Sequence, residues 1–137
     1  MPRTRDALLD GALSVLERDG LHALTMAAVA SRAGLAKATL YNHFRSRSEV
    51  LEALVWREVD AVGAQAVAAA RAGGTAAGLD LAASCVAHHV ALRRLVDTDP
   101  AALVGLATLR PGRALARAGE LVAEVLAVDG PAGALSD

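Results

Sequence analysis

Leucine, valine and alanine recur in this chain at spacings of three and four residues. Glycine interrupts the pattern at Gly20, Gly34 and Gly73-Gly74. Leu9, Leu13 and Leu16 share one side of a first segment, with Leu8, Ala12 and Val15 beside them. Met26, Val29, Ala30 and Ala33 make a second apolar stripe. Both are the pattern of amphipathic helices. The hydrophobic share is 54% but the aromatic share only 2%, so any core must be built from Leu, Val and Ala. Alanine and leucine are strong helix formers. The expected fold class is therefore all-α, and 137 residues is about the size of a single domain.

The breaks and caps set the expected helices. Thr4 can cap a first helix that ends at Asp19-Gly20. Thr25 can cap a second, from Met26 to Ala33, which Gly34 stops. A third runs from about Lys37 to Phe44 after a turn of only Gly34-Leu35-Ala36. Ser46-Arg47-Ser48-Glu49 fits a capping box, serine at the cap and glutamate three residues on. It opens a long helix to about Ala72, which would span roughly 35–40 Å by the helical rise. Beyond it the pattern predicts one helix over 76–96, a short one from Asp99-Pro100 to Pro111-Gly112, and a last one over 113–128 that ends at Gly130-Pro131. The expected division is residues 1–47 and 48–137, with the long helix belonging to both halves.

One stretch stands apart, AGLAKATLYNHFRSR from Ala33 to Arg47. Tyr41 and Phe44 lie in it, leaving Trp56 as the other aromatic residue of the chain. No acid occurs between Asp19 and Glu49, while Arg32, Lys37, Arg45 and Arg47 do. Net charge is only −1, so the positive face is local. Phosphate contacts dominate nucleic-acid affinity, which makes that local face count for more than the total charge. Two short helices joined by a tight glycine turn read as helix-turn-helix. Leu40 and Phe44, four apart, would anchor the second helix. Lys37, Ala38, Thr39, Asn42 and His43 would face outward, small or polar groups suited to a major groove. The same geometry also occurs in helical domains that bind no nucleic acid.

Residues 21–51, LHALTMAAVASRAGLAKATLYNHFRSRSEVL, resemble the N-terminal DNA-binding domain of the tetracycline-repressor (TetR) family of bacterial transcription regulators. The Gly20 break, Thr25, Ala33-Gly34-Leu35, Thr39-Leu40-Tyr41, His43-Phe44 and Arg45-Ser46-Arg47 carry the resemblance, which covers roughly residues 5–60. It implies a three-helix helix-turn-helix domain followed by a helical ligand-binding and dimerisation domain. It implies that Thr25 and Tyr41 bond phosphates. Lys37, Ala38 and Thr39 would sit at the groove end of the recognition helix, Asn42 and His43 along the groove wall. Arg47 would reach a phosphate from the start of helix four. For Tyr41 the alternative is packing with its hydroxyl at the surface, for Asn42 plain solvation, and for His43 capping or packing. Ala36 departs from the family's usual Ser or Thr, removing a cap, and Ala27 stands where a polar residue is common.

The resemblance further implies a dimeric, ligand-responsive repressor on a palindromic operator, with a small-molecule effector and no cofactor. Trp56 either lines the effector pocket or packs at the domain junction. Cys85, His88 and His89 lie on adjacent helical turns, either as pocket-lining or packed residues or as metal ligands lacking an evident fourth. No nucleophile–base arrangement suggests an enzyme. The lone Cys85 excludes an intramolecular disulfide and fits a reducing compartment. With no apolar signal core and no membrane-length apolar run, the expected location is the cytoplasm. Chains of the family commonly run longer and end in two further helices. A truncated chain with weakened dimerisation is thus expected, its 113–128 helix exposing Leu115, Leu121, Val122, Val125 and Leu126. The other readings are a fragment that binds DNA constitutively, and a helical interaction or metal module using Cys85, His88 and His89.

Overall fold

The structure, a computed structural model, describes residues 2–101, 104 and 113–130. Every regular element among these residues is a helix. In order they are α1 (Pro2–Asp19), a 3-10 turn (Leu21–Ala23), α2 (Met26–Ala33), α3 (Lys37–His43), α4 (Arg47–Gly73), α5 (Thr75–Ala87), α6 (Val90–Thr98) and α7 (Arg113–Ala127). The described residues fall into two compact units. One takes residues up to 55 together with those of 90–109; the other takes those of 56–89 and 110–137.

In the first unit, α1 contributes Leu8, Leu9, Ala12, Val15 and Leu16 to one buried cluster. Leu24 joins it from the link between the 3-10 turn and α2, Val29 and Ala30 from α2, Leu40 and Phe44 from α3 and its end, Val50, Leu51 and Leu54 from the start of α4, and Ala91 from α6. α1 begins at Pro2, a position where a missing N–H costs nothing. Thr4, expected as the cap, therefore lies inside the first turn. α6 returns to pack against α1, burying Ala91 and Leu95.

That return is possible because the single helix expected over 76–96 is two helices. α5 ends at Ala87, and His88 takes φ −100° and ψ 4°. The Ser84 carbonyl accepts from the His88 N–H at 3.0 Å, and the His88 Nδ1 lies 2.8 Å from the same oxygen. The His89 ring turns to Glu58, Nε2 to Oε2 3.3 Å. Polar side chains that find partners locally end a helix without glycine or proline. The expected helix from Asp99-Pro100 lies largely outside the described residues, as does the chain after Gly130.

In the second unit α4, α5 and α7 pack through small residues. Ala66, Val67 and Ala70 of α4 meet Leu121 and Val125 of α7 in a buried cluster. Two of the residues expected to be exposed on the last helix are thus core: Leu121 is 5% and Val125 3% exposed. Val122 and Leu126 are exposed, and the Leu115 side chain lies outside the described residues. Asp129 caps α5 from the far end of α7, its Oδ2 accepting from the Thr75 N–H at 2.7 Å. The Thr75 hydroxyl donates to the Val125 carbonyl at 3.0 Å. Arg117 of α7 reaches Asp60 of α4 at 2.9 Å and Glu120 at 3.2 Å. Those two hydrogen bonds, Asp60's first, raise its pKa further above the ordinary arginine value.

At Gly78 α5 approaches the α4 backbone closely. A Cβ there would stand 2.7 Å from the Ala66 carbonyl oxygen and 2.7 Å from the Ala70 Cβ. Neither atom is the end of a flexible side chain. Gly78→Ala should therefore destabilise the protein by about 1–3 kcal/mol, although alanine is the better helix former. Urea denaturation followed by circular dichroism checks this; a gain in stability would show that α5 is not held this close.

Candidate nucleic-acid interface

The helix-turn-helix is built from complementary caps. Thr25 sits in extended geometry, φ −112° and ψ 160°, and its Oγ1 accepts from the Ala28 N–H at 3.1 Å. At the other end of α2, Gly34 adopts φ 70°, a left-handed conformation that glycine enters without a Cβ penalty. The Leu35 N–H donates to the Ala30 carbonyl at 3.0 Å and the Gly34 N–H to Ser31 at 3.1 Å. This double closure is a Schellman motif, and it sets the angle at which the chain enters α3.

α3 has no such help at its start. Ala36 has the extended geometry of a cap, φ −69° and ψ 148°, but no side-chain bond. What holds α3 is its inner face. Leu40 is 0% and Phe44 2% exposed, both within the core of the first unit. The opposite face is open: Lys37, Ala38, Tyr41 and Asn42 are exposed, Thr39 and His43 half-buried. Tyr41 is 50% exposed. His43 tilts against Phe44, ring centroids 6.5 Å apart.

α4 starts on the expected serine cap. The Ser46 Oγ accepts from the Glu49 N–H at 3.3 Å. The Glu49 carboxylate reaches one residue further back than a standard capping box, accepting from the Arg45 N–H at 2.7 Å. Arg47 has internal partners: its Nε donates to the Leu24 carbonyl at 2.6 Å and its Nη2 to Leu21 at 2.8 Å.

One cation was not singled out by sequence reasoning. The Arg5 guanidinium lies 4.8 Å over the Phe44 ring, so α1 brings a further positive charge to the end of α3. The residues are far apart in the chain, and only the fold of the first unit brings them together.

Of the residues considered for a pocket or metal, Trp56 is 38% exposed on α4. Cys85, His88 and His89 have different partners: the Cys85 Sγ is 3.9 Å from Gln65 Oε1, while His88 and His89 engage Ser84 and Glu58 as above. Among the described residues no three His, Cys, Asp or Glu side chains converge as metal ligands would.

The geometry of α2 and α3 accords with what comparison with known proteins finds. Residues 8–54 match the family described as bacterial regulatory proteins, tetR family. Over those residues, about a third of its length, the chain is similar to that family. It is similar to the HTH-type transcriptional repressor KstR of Mycolicibacterium smegmatis, 39% identical over 71 residues, covering 52% of this chain and 35% of the relative. It is also similar to the repressor of the same name from Mycobacterium tuberculosis, 35% identical over 71 residues, covering 52% of this chain and 32% of the relative. The chain spans about a third of the length of these curated relatives. No solved structure matches. The TetR-type match ends within the first turns of α4, where the first unit also gives way to the second.

The caps make a paired prediction. Ala36→Ser should raise stability by about 0.5–1 kcal/mol by supplying the missing cap of α3, and Thr25→Ala should lower it by about 1 kcal/mol. Thermal melting of both variants checks it; no gain for Ala36→Ser would mean that the start of α3 cannot use a side-chain acceptor.

Proposed function

We propose that this chain is a sequence-specific, DNA-binding transcriptional regulator, and specifically a repressor. The observation that carries the reading is the two-faced α3. Leu40 and Phe44 are buried beneath an exposed Lys37, Ala38, Tyr41 and Asn42, in a segment without acids, within the residues similar to the TetR family. Such a helix fits the major groove with its first turn toward base edges. In this reading Lys37 contacts a base or phosphate, Ala38 and Thr39 line the groove floor, and Asn42 and His43 follow its wall. Thr25 and Tyr41 bond phosphates.

The relatives named as repressors support repression over activation. The proposed operator is palindromic, read by a homodimer with recognition helices about one DNA turn apart. The exposed Val122 and Leu126 on α7 are surface a partner protomer could cover. Residues 1–47 would read DNA and 48–137 would serve regulation, with a small-molecule effector; Trp56, Cys85, His88 and His89 stay the candidates for its site. A regulator rather than an enzyme, working in the cytoplasm, is the role this supports. No described helix is long and apolar enough to cross a membrane.

The test uses a duplex selected by the chain itself from a randomised pool. Lys37→Ala should weaken binding, lower the salt slope of log K by about 0.9 if the contact is a phosphate, or change base preference if it is a base. Tyr41→Phe should weaken all sequences alike. If neither substitution alters binding, α3 is not the reading helix.

A further inference from the structure

We propose that Arg47 is a positioning residue for the DNA-facing end of α2, acting through two main-chain carbonyls instead of a phosphate. The resemblance implies a phosphate contact for Arg47, yet two of its guanidinium nitrogens already bond main-chain carbonyls. Nε donates to Leu24 at 2.6 Å and Nη2 to Leu21 at 2.8 Å. Leu21 opens the 3-10 turn that leads into α2, and Leu24 closes it. The Leu21 carbonyl also accepts from the Leu24 N–H at 3.1 Å, so Arg47 closes that turn from outside. Leu24 is held twice over: its side chain is 1% exposed in the core, and its carbonyl is held by Arg47.

The residue after Leu24 is Thr25, the cap of α2. Its hydroxyl can serve the Ala28 N–H and face a phosphate only if the peptide before it is fixed. The guanidinium suits this task because its donors form a rigid planar fork, and charge-assisted bonds to carbonyls are stronger than neutral ones. A lysine ammonium keeps the charge but not the fork. Arg47 is also the first residue of α4. The first turn of α4 is thereby tied directly to the amino end of α2, without passing through α3. A displacement of that first turn would be felt at Thr25 as well as at the recognition helix.

The inference rests on the proposal that the amino end of α2 meets DNA, and the test separates the two. Arg47→Lys, Arg47→Gln, Thr25→Ala and the Arg47→Lys/Thr25→Ala pair are made in the full chain. Without DNA, amide hydrogen exchange is read by NMR. Both Arg47 variants should exchange faster at Leu24, Thr25 and Ala28 while Leu40 and Phe44 keep wild-type protection. With a duplex selected by the wild-type chain, both should bind on the order of tenfold more weakly, the effect of losing a charge-assisted hydrogen bond. The salt slope should not change. The loss from Arg47→Lys should largely vanish in the Thr25→Ala background, which a general loosening of the domain would not produce. The proposal is overturned if Arg47→Lys matches wild type in exchange and affinity while Arg47→Gln alone binds weakly with a slope lower by about 0.9, the mark of a phosphate contact. Unchanged exchange in both variants overturns it regardless of DNA. If the wild-type chain selects no duplex, the DNA-binding proposal fails, and the exchange data still decide what Arg47 holds.

Discussion

The burial of Leu40 and Phe44 is the interaction on which the exposed face of α3 depends. α3 spans only Lys37–His43, and its start lacks a side-chain cap. A helix that short is not stable by itself in water. It exists because two side chains, four apart, are removed from solvent in the core of the first unit. At about 25 cal/mol per Å² of apolar surface, burying a leucine and a phenylalanine outweighs what α3 lacks in propensity and capping. The same anchoring determines which face is left outside. Lys37, Ala38, Tyr41 and Asn42 are exposed because Leu40 and Phe44 are not.

Around that anchor, backbone geometry does what side-chain bulk cannot. The chain has one Phe, one Tyr and one Trp, so large rings cannot orient its helices. The Gly34 closure sets the turn between α2 and α3, and the Ser46–Glu49 cap sets the start of α4. Arg47 joins that start to the turn ahead of α2. In the second unit the same scarcity of bulk is met by closeness. Gly63 and Gly78 leave room for Leu121 and for the α4 backbone, and Thr75 and Asp129 tie the ends of α5 and α7. Alanine and glycine bury little area each, so the helices must approach closely for dispersion contacts to accumulate.

The first unit was largely legible in the sequence because local and tertiary signals agree there. Thr25, Gly34 and Ser46 each mark a boundary by their chemistry, and Leu40 and Phe44 mark the inner face by spacing. The helix-turn-helix, and the resemblance to the TetR family, followed from those residues. Less legible were features set by partners distant in sequence. The break at His88-His89 has no glycine or proline and depends on Ser84 and Glu58. Leu121 and Val125 looked like an exposed stripe because their partners, Ala66, Val67 and Ala70, are small enough to pass for a solvated alanine face. Neither the engagement of Arg47 with Leu21 and Leu24 nor the placing of Arg5 over Phe44 carries a spacing signal at all.

The central claim is that the open face of α3, with the amino end of α2, is the surface that meets DNA. The most direct measurement is an NMR titration of the isotope-labelled full chain with a duplex it has selected from a randomised pool. The account predicts that the largest amide shifts fall at Thr25–Ala28 and Lys37–His43, and that the buried α4–α7 cluster around Val67 and Leu121 is little affected. Shifts concentrated on α5 or α7, with α3 unmoved, would contradict it.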